Sequence, residues 1–207
     1  MTVQFSKELL ETFFAPGIDE LRFEEIRDLG SEIPKRQWLW NHFLNSAFGD
    51  RWNALWRARF VTMAFRTQAA LSAYDRAKEA CDSFVARSIP GHPALKFYFE
   101  AIAQFEAVIH HLDQLSDIFE QTNGQDHSRD FAEVKVRDIC NRIKHVAEDF
   151  EQPKHSGLTI PMWLTTTGLK TSKSELTFSL LAEMLIEIVQ VIEDMQNPSE
   201  WIANHRP

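Results

Sequence analysis

Apolar residues recur at intervals of three and four along most of this 207-residue chain. This is the spacing of helices that turn one face toward a core. The two longest patterns cover residues 51–86 and 93–122, and we predict one long helix over each. The break between them is short and contains Pro90, Gly91 and Pro93, so the two helices should run antiparallel. Shorter helices are predicted over residues 3–14, 18–29, 34–47, 128–151 and 179–195.

Residues 158–178 have a different character, because threonine is frequent there and mixes with Ile, Trp and Phe. This composition, with Gly168 near the middle, predicts a β-hairpin. The predicted fold is therefore an all-α bundle of five to six helices with a small β-hairpin before the last helix. We expect a single helical domain over residues 1–207, made of an N-terminal helical extension (1–49) and a main bundle (50–196).

The spacing of the glycines and the net charge argue against glycine-loop nucleotide binding and against general nucleic-acid coating. The chain has seven glycines, and they are too far apart to form a dinucleotide-binding fingerprint or a P-loop, which both need clustered glycines. The formal net charge of −8 argues against a general nucleic-acid coat but leaves room for a local basic site. No cofactor and no metal are expected.

Cellular location is predicted from cysteines and apolar runs. Cys81 and Cys140 both fall inside helical patterns and form no C-x-x-C motif, which favours a reduced, cytoplasmic protein. We find no signal-peptide pattern and no apolar run of membrane-spanning length. No membrane partner is expected.

The densest polar cluster lies at residues 136–145. A helix advances about 100° per residue, so Asp138, Asn141, Arg142 and His145 should share one face. Arginine binds phosphate oxygens in a bidentate manner, and histidine can transfer a proton near neutral pH. These are groups that metal-free RNA cleavage needs. The alternative is a solvated face held by i,i+4 pairs between Asp138 and Arg142 and between His145 and Asp149.

The run Asn141-Arg142-Ile143-Lys144-His145 resembles the R-N-x-x-K-H form of the motif in the HEPN superfamily, the higher eukaryotes and prokaryotes nucleotide-binding domains. The resemblance covers mainly the helical body, roughly residues 50–195. Asn141, Lys144 and His145 match the pattern, whereas Cys140 stands at the position of the family arginine. Arg137, one turn earlier, and Arg142, inside the motif, are the cations nearest to that position.

The resemblance implies a metal-independent endoribonuclease of a toxin or phage-defence type, with an active site formed across a homodimer. It implies that His145 is the acid–base group, that Arg142 and Arg137 are phosphate or transition-state cations, and that Asn141 orients the substrate by a hydrogen bond. Lys144 and Asp138 would bind substrate. The implied partners are RNA or a nucleotide, a second copy of the chain and an antitoxin-like protein.

A second hypothesis is a non-catalytic helical module for dimerisation or interaction. Family members that lack the motif are similar in acting as nucleotide-binding, RNA-binding or scaffolding modules. Cys140 at the arginine position, the acidic net charge and the aromatic excess of sixteen Phe and six Trp favour this hypothesis. Trp38, Trp40, Trp52 and Trp56 have the helical spacing of a core or dimer interface rather than of a ligand-stacking box.

Two further clusters lie on the long helices. Glu106, His110, Asp113 and Asp117 form one polar stripe, which is either an exposed acidic face or, as a distant third hypothesis, part of a metal site. The chain lacks the paired Glu-x-x-His motif of di-iron bundles. Arg59 and Arg66, seven residues apart, either extend a basic patch or pair with acidic residues of a neighbouring helix.

Overall fold

The computed structural model describes residues 6–24, 26–33, 38, 54–123, 130–146 and 160–196. In this part of the chain a helical bundle carries a small antiparallel sheet before the last helix, which confirms the predicted fold class. The helices are α1 (Lys7–Phe13), α2 (Leu29–Glu32), α3 (Ala54–Arg87), α4 (Leu95–Asn123), α5 (Phe131–Lys144) and α6 (Phe178–Met195). The strands are β1 (Trp163–Leu164), β2 (Gly168–Lys170) and β3 (Glu175–Thr177). None of the described helices is both long and apolar enough to cross a membrane.

Helices α3 and α4 form the centre of the bundle. The buried positions of α3 follow the predicted three-and-four spacing: Trp56, Phe60, Met63, Ala70, Tyr74, Ala77, Cys81 and Phe84. The turn after α3 is tight, with Ile89 and His92 bonded to each other through their backbones. Gly91 takes a φ of 76°, a conformation that favours glycine. Its N–H donates to the Asp19 carboxylate at 3.0 and 3.2 Å, which ties this turn to the N-terminal part of the chain.

The N-terminal residues share the core of the main bundle. Leu10, Ile18 and Leu29 belong to the same buried cluster as α3, α4 and α6. Trp38 is 1% exposed and donates a hydrogen bond from Nε1 to the Glu193 carboxylate of α6. Phe178, at the start of α6, stacks on Phe105 of α4 with ring centroids 5.3 Å apart. The core is aromatic, as the composition indicates.

The sheet has one strand more than the predicted hairpin, in the order β1-β2-β3. Gly168 lies within β2, opposite Thr177 of β3, rather than in a turn. A Cβ at this position would lie 2.3 Å from the backbone oxygen of Leu176, so only glycine allows the two strands to approach. Thr177 then caps α6, since its Oγ1 accepts a hydrogen bond from the Leu180 N–H at 3.2 Å. The last helix therefore begins before the predicted Ser179.

Two other predictions are wrong in detail. Residues 18–29 do not form one helix: Ile18–Glu20 make a 3-10 turn, and α2 begins only at Leu29. The apolar spacing of residues 93–122 also predicts that Phe99 faces the core, but Phe99 is 37% exposed, and Tyr98 is buried next to it. The predicted helix 34–47 lies outside the described residues except for Trp38.

Candidate functional site

The candidate site lies on α5, and a capping box fixes where this helix begins. The Asp130 side chain accepts from the Glu133 N–H at 2.8 Å, and the Glu133 side chain accepts from the Asp130 N–H at 3.0 Å. This reciprocal arrangement satisfies two backbone donors at the helix start. Ser116 of α4 also donates to Glu133, at 3.0 Å. The first turn of α5 is thus anchored both along its own axis and against α4.

Four of the predicted site residues lie along the outer side of α5. Asp138, Asn141 and His145 are exposed, and Arg142 is half-buried, as their helical spacing predicts. Asp138 accepts a hydrogen bond from the Ser174 hydroxyl at 3.3 Å, which links this face to the segment before β3. His145 ends the helix, and its N–H donates to the Asn141 carbonyl at 3.0 Å.

The other two predicted residues point toward α4. Arg137 Nη1 lies 2.9 Å from the Asp117 carboxylate, and both side chains are about four-tenths exposed. Lys144 Nζ lies 3.0 Å from Asp113, whose side chain is 3% exposed. The structure thus brings Arg137 and Lys144 together in one row along the α4–α5 contact. They lie on the α4 side of the row that ends in His145.

Cys140 stands where the resembled family has an arginine, and it is 2% exposed. Burial raises the pKa of its thiol above the usual 9.0, and the nearby Asp113 carboxylate raises it further, while Lys144 acts in the opposite direction. The hydrogen bond with Asp113 raises the pKa of Lys144 above 10.5. At neutral pH the Cys140 thiol is therefore neutral and Lys144 is protonated, and position 140 carries no cation in place of the arginine of the resembled family.

The predicted polar stripe on α4 does not form a single exposed face. Asp113 is buried and pairs with Lys144, whereas His110 is exposed. Glu106 is half-buried, and its burial raises the pKa of the carboxyl group. Within the described residues, no three His, Cys, Asp or Glu side chains are grouped as metal ligands.

The sequence pattern did not predict that Asp113 is buried as the partner of Lys144. One signal was available, because Asp113 directly follows Leu112 in the apolar pattern of α4 and is four residues from Asp117. Arg137 and Lys144, seven apart on α5, face that pair of carboxylates in an antiparallel arrangement. Only the docking of α5 on α4 shows which cation meets which carboxylate.

Comparison with protein-family models, with curated proteins and with solved structures gave no match.

Proposed function

We propose that this chain is a HEPN-like RNA-directed protein that cleaves RNA without a metal, of a toxin or phage-defence type. The observation that carries the proposal is the outer side of α5, where the exposed Asn141 and His145 lie together with the half-buried Arg142. Arg137 and Lys144 flank this face and are each more than four-tenths exposed, so their remaining N–H donors are within reach of a bound strand.

The chemistry follows from these side chains. The His145 imidazole takes the proton of a 2′-hydroxyl, the 2′-oxygen bonds to phosphorus, and the bond from phosphorus to the 5′-oxygen breaks. Arg142 and Arg137 stabilise the charge that develops on the phosphate oxygens. Asn141 orients the phosphate by a hydrogen bond, and Lys144 and Asp138 hold the strand beside it. The resemblance implies an active site formed across a homodimer, and in such a site the His145 imidazole of the second copy gives a proton to the leaving 5′-oxygen.

A second candidate function is a non-catalytic interaction module. Two observations favour it: Cys140 is buried and neutral at the position of the family arginine, and carboxylates of α4 neutralise Arg137 and Lys144. A binding surface tolerates such pairing better than a catalytic centre, which needs charge directed at the transition state.

Incubation of the purified protein with mixed RNA in EDTA tests the proposal. We expect wild type to cleave, and His145→Ala and Arg142→Ala to lose activity by about 100-fold or more, the usual range for removing an acid–base or transition-state group. Arg76→Ala, an exposed arginine on α3, is the matched control and should cleave like wild type.

Three results would contradict the ribonuclease. Equal residual RNA cleavage by wild type, His145→Ala and Arg142→Ala would favour the interaction module. Cleavage that requires a divalent ion would point to metal chemistry. A strict monomer by light scattering at high concentration would exclude an active site shared between two copies.

A further inference from the structure

A second group of basic side chains lies on the other side of α4, where it contacts α3. Arg66 of α3 is half-buried, and its Nη1 lies 3.4 Å from Nδ1 of His111 on α4. His110, the next residue, is exposed, and its ring centroid lies 6.2 Å from that of His111. Gln114, one turn along α4, contacts Nε2 of His110 at 3.0 Å. Arg66 therefore contacts one imidazole, and a second, exposed imidazole lies beside the first.

Among the described residues, no carboxylate pairs with this group. Besides His111, the described contact of the Arg66 guanidinium is the Phe65 ring, whose centroid is 5.8 Å away. The pKa of His111 is lowered by burial first, then by Arg66 and then by His110, with no acidic group opposing them.

Arg59, on the same helix, has a backbone acceptor for its guanidinium and offers a comparison with Arg66. It lies two turns before Arg66, and its Nη2 donates to the Gln121 carbonyl at 3.2 Å, near the C-terminal end of α4. A cation at that end is stabilised by the helix carbonyls. Arg66 has no such acceptor in the described structure except an imidazole nitrogen, which a stronger, anionic acceptor can replace.

We propose that Arg66, His110 and His111 form a binding site for a phosphate oxyanion. The planar guanidinium of Arg66 donates to two phosphate oxygens, and the imidazole N–H groups of the two histidines donate to the others. The exposed Phe65, at 54%, lies beside the site and covers one side of the guanidinium. The site is on α3 and α4, so it does not depend on the α5 face or on RNA cleavage.

The test follows the histidine side chains by NMR. The full-length chain, labelled with ¹⁵N-histidine, is titrated with inorganic phosphate at constant ionic strength, with chloride as the reference anion. We expect the His110 and His111 imidazole signals to shift and saturate in the millimolar range. Arg66→Gln should weaken binding by about tenfold or more, because one charged hydrogen-bonding group is lost. Arg66→Lys keeps the positive charge but loses the two parallel N–H donors of the guanidinium, so it should weaken binding severalfold.

Arg76→Gln is the matched control, because it removes the same charge from an exposed position on the same helix. It should leave the dissociation constant within about twofold. The phosphate could belong to a nucleic-acid backbone or to a small phosphate compound. A second titration, with a single-stranded oligouridylate, distinguishes these two sources. Competition between the oligonucleotide and phosphate at this site identifies a nucleic-acid backbone, and binding of phosphate alone identifies a small phosphate compound.

Three results would overturn the proposal. The first is that neither probe produces a saturable shift of the two imidazoles. The second is that Arg66→Gln binds phosphate as well as wild type. The third is that Arg76→Gln loses as much affinity as Arg66→Gln, since binding would then reflect overall charge. Circular dichroism shows whether each variant is folded. If Arg66→Gln does not fold, the comparison of Arg66→Lys with wild type still tests the proposal.

Discussion

Helix α4 meets a neighbouring helix on two sides, and its polar contacts differ in charge between the two. Toward α5 it contributes carboxylates, so that Asp113 meets Lys144 and Asp117 meets Arg137. Toward α3 it contributes an imidazole, so that His111 meets Arg66. The α5 side is locally neutral, and the α3 side keeps a net positive charge.

This difference separates groups that hold the fold from groups that are available to a ligand. Asp113 is buried and pairs with Lys144 of α5, so this pair joins the two helices inside the bundle. The Arg66 contact lies nearer the surface and leaves a cation for an incoming anion. Substitutions on the two sides of α4 therefore test this comparison. On the α5 side they should change the free energy of unfolding, and on the α3 side they should change its dependence on pH.

The largest effect is expected from Lys144→Met. The change leaves the Asp113 carboxylate in a buried position without its cation, and we expect the free energy of unfolding to fall by about 2–3 kcal/mol. Urea unfolding followed by circular dichroism measures this loss. The variant Lys144→Met/Asp113→Asn should recover part of it, since the double variant has no buried charge to satisfy. A loss no larger in Lys144→Met than in the double variant would show that the pair does not anchor α5.

A smaller effect is expected from Arg137→Ala on the same side of α4. Its pair with Asp117 is about four-tenths exposed at both ends, and solvent screens such pairs. We expect a loss of about 0.5 kcal/mol, with added salt reducing the difference from wild type. The same unfolding experiment at low and high salt measures it. A loss as large as that of Lys144→Met would mean that burial does not distinguish the two pairs.

The smallest effect is a pH dependence on the α3 side. The folded chain lowers the pKa of His111 below the usual 6.5, so the unfolded chain takes up a proton first as the pH falls. The contribution of His111 to stability is therefore present above 6.5 and is lost as the pH falls through the folded-state value. Unfolding measured between about pH 7.5 and pH 5 should show a steeper decline for wild type than for His111→Gln. Identical slopes would show that neither the burial of His111 nor the neighbouring Arg66 and His110 lowers its pKa enough to affect stability.

Sequence patterns predicted the long helices well, because their signal is repeated over many turns. The buried positions of α3 follow the predicted spacing, and so does the wet face of α6, with Glu183, Glu187 and Asp194 exposed. Short elements were predicted less well. A stretch of twelve residues such as 18–29 is too short for its apolar spacing to outweigh contacts with the rest of the bundle.

Within the candidate site, the order of side chains around α5 could be predicted, but their partners could not. Helical spacing places Asp138, Asn141, Arg142 and His145 on one side whatever α5 packs against. Which carboxylates Arg137 and Lys144 meet depends on the position of α4, about 20–30 residues away in sequence. The sequence left open whether Arg59 and Arg66 pair with acidic residues, and the described structure gives them a carbonyl and an imidazole instead.

The sequence by itself determined the helical class, the break between α3 and α4, and the set of polar groups carried by α5, because these depend on local periodicity and on turn residues. The tertiary structure decided which charges are neutralised. It placed Asp113 inside the bundle, buried Cys140 beside it and left Arg66 against a histidine. The physical reason is that Coulomb energies and desolvation depend on distance and burial in three dimensions, and neither can be read from spacing along one helix.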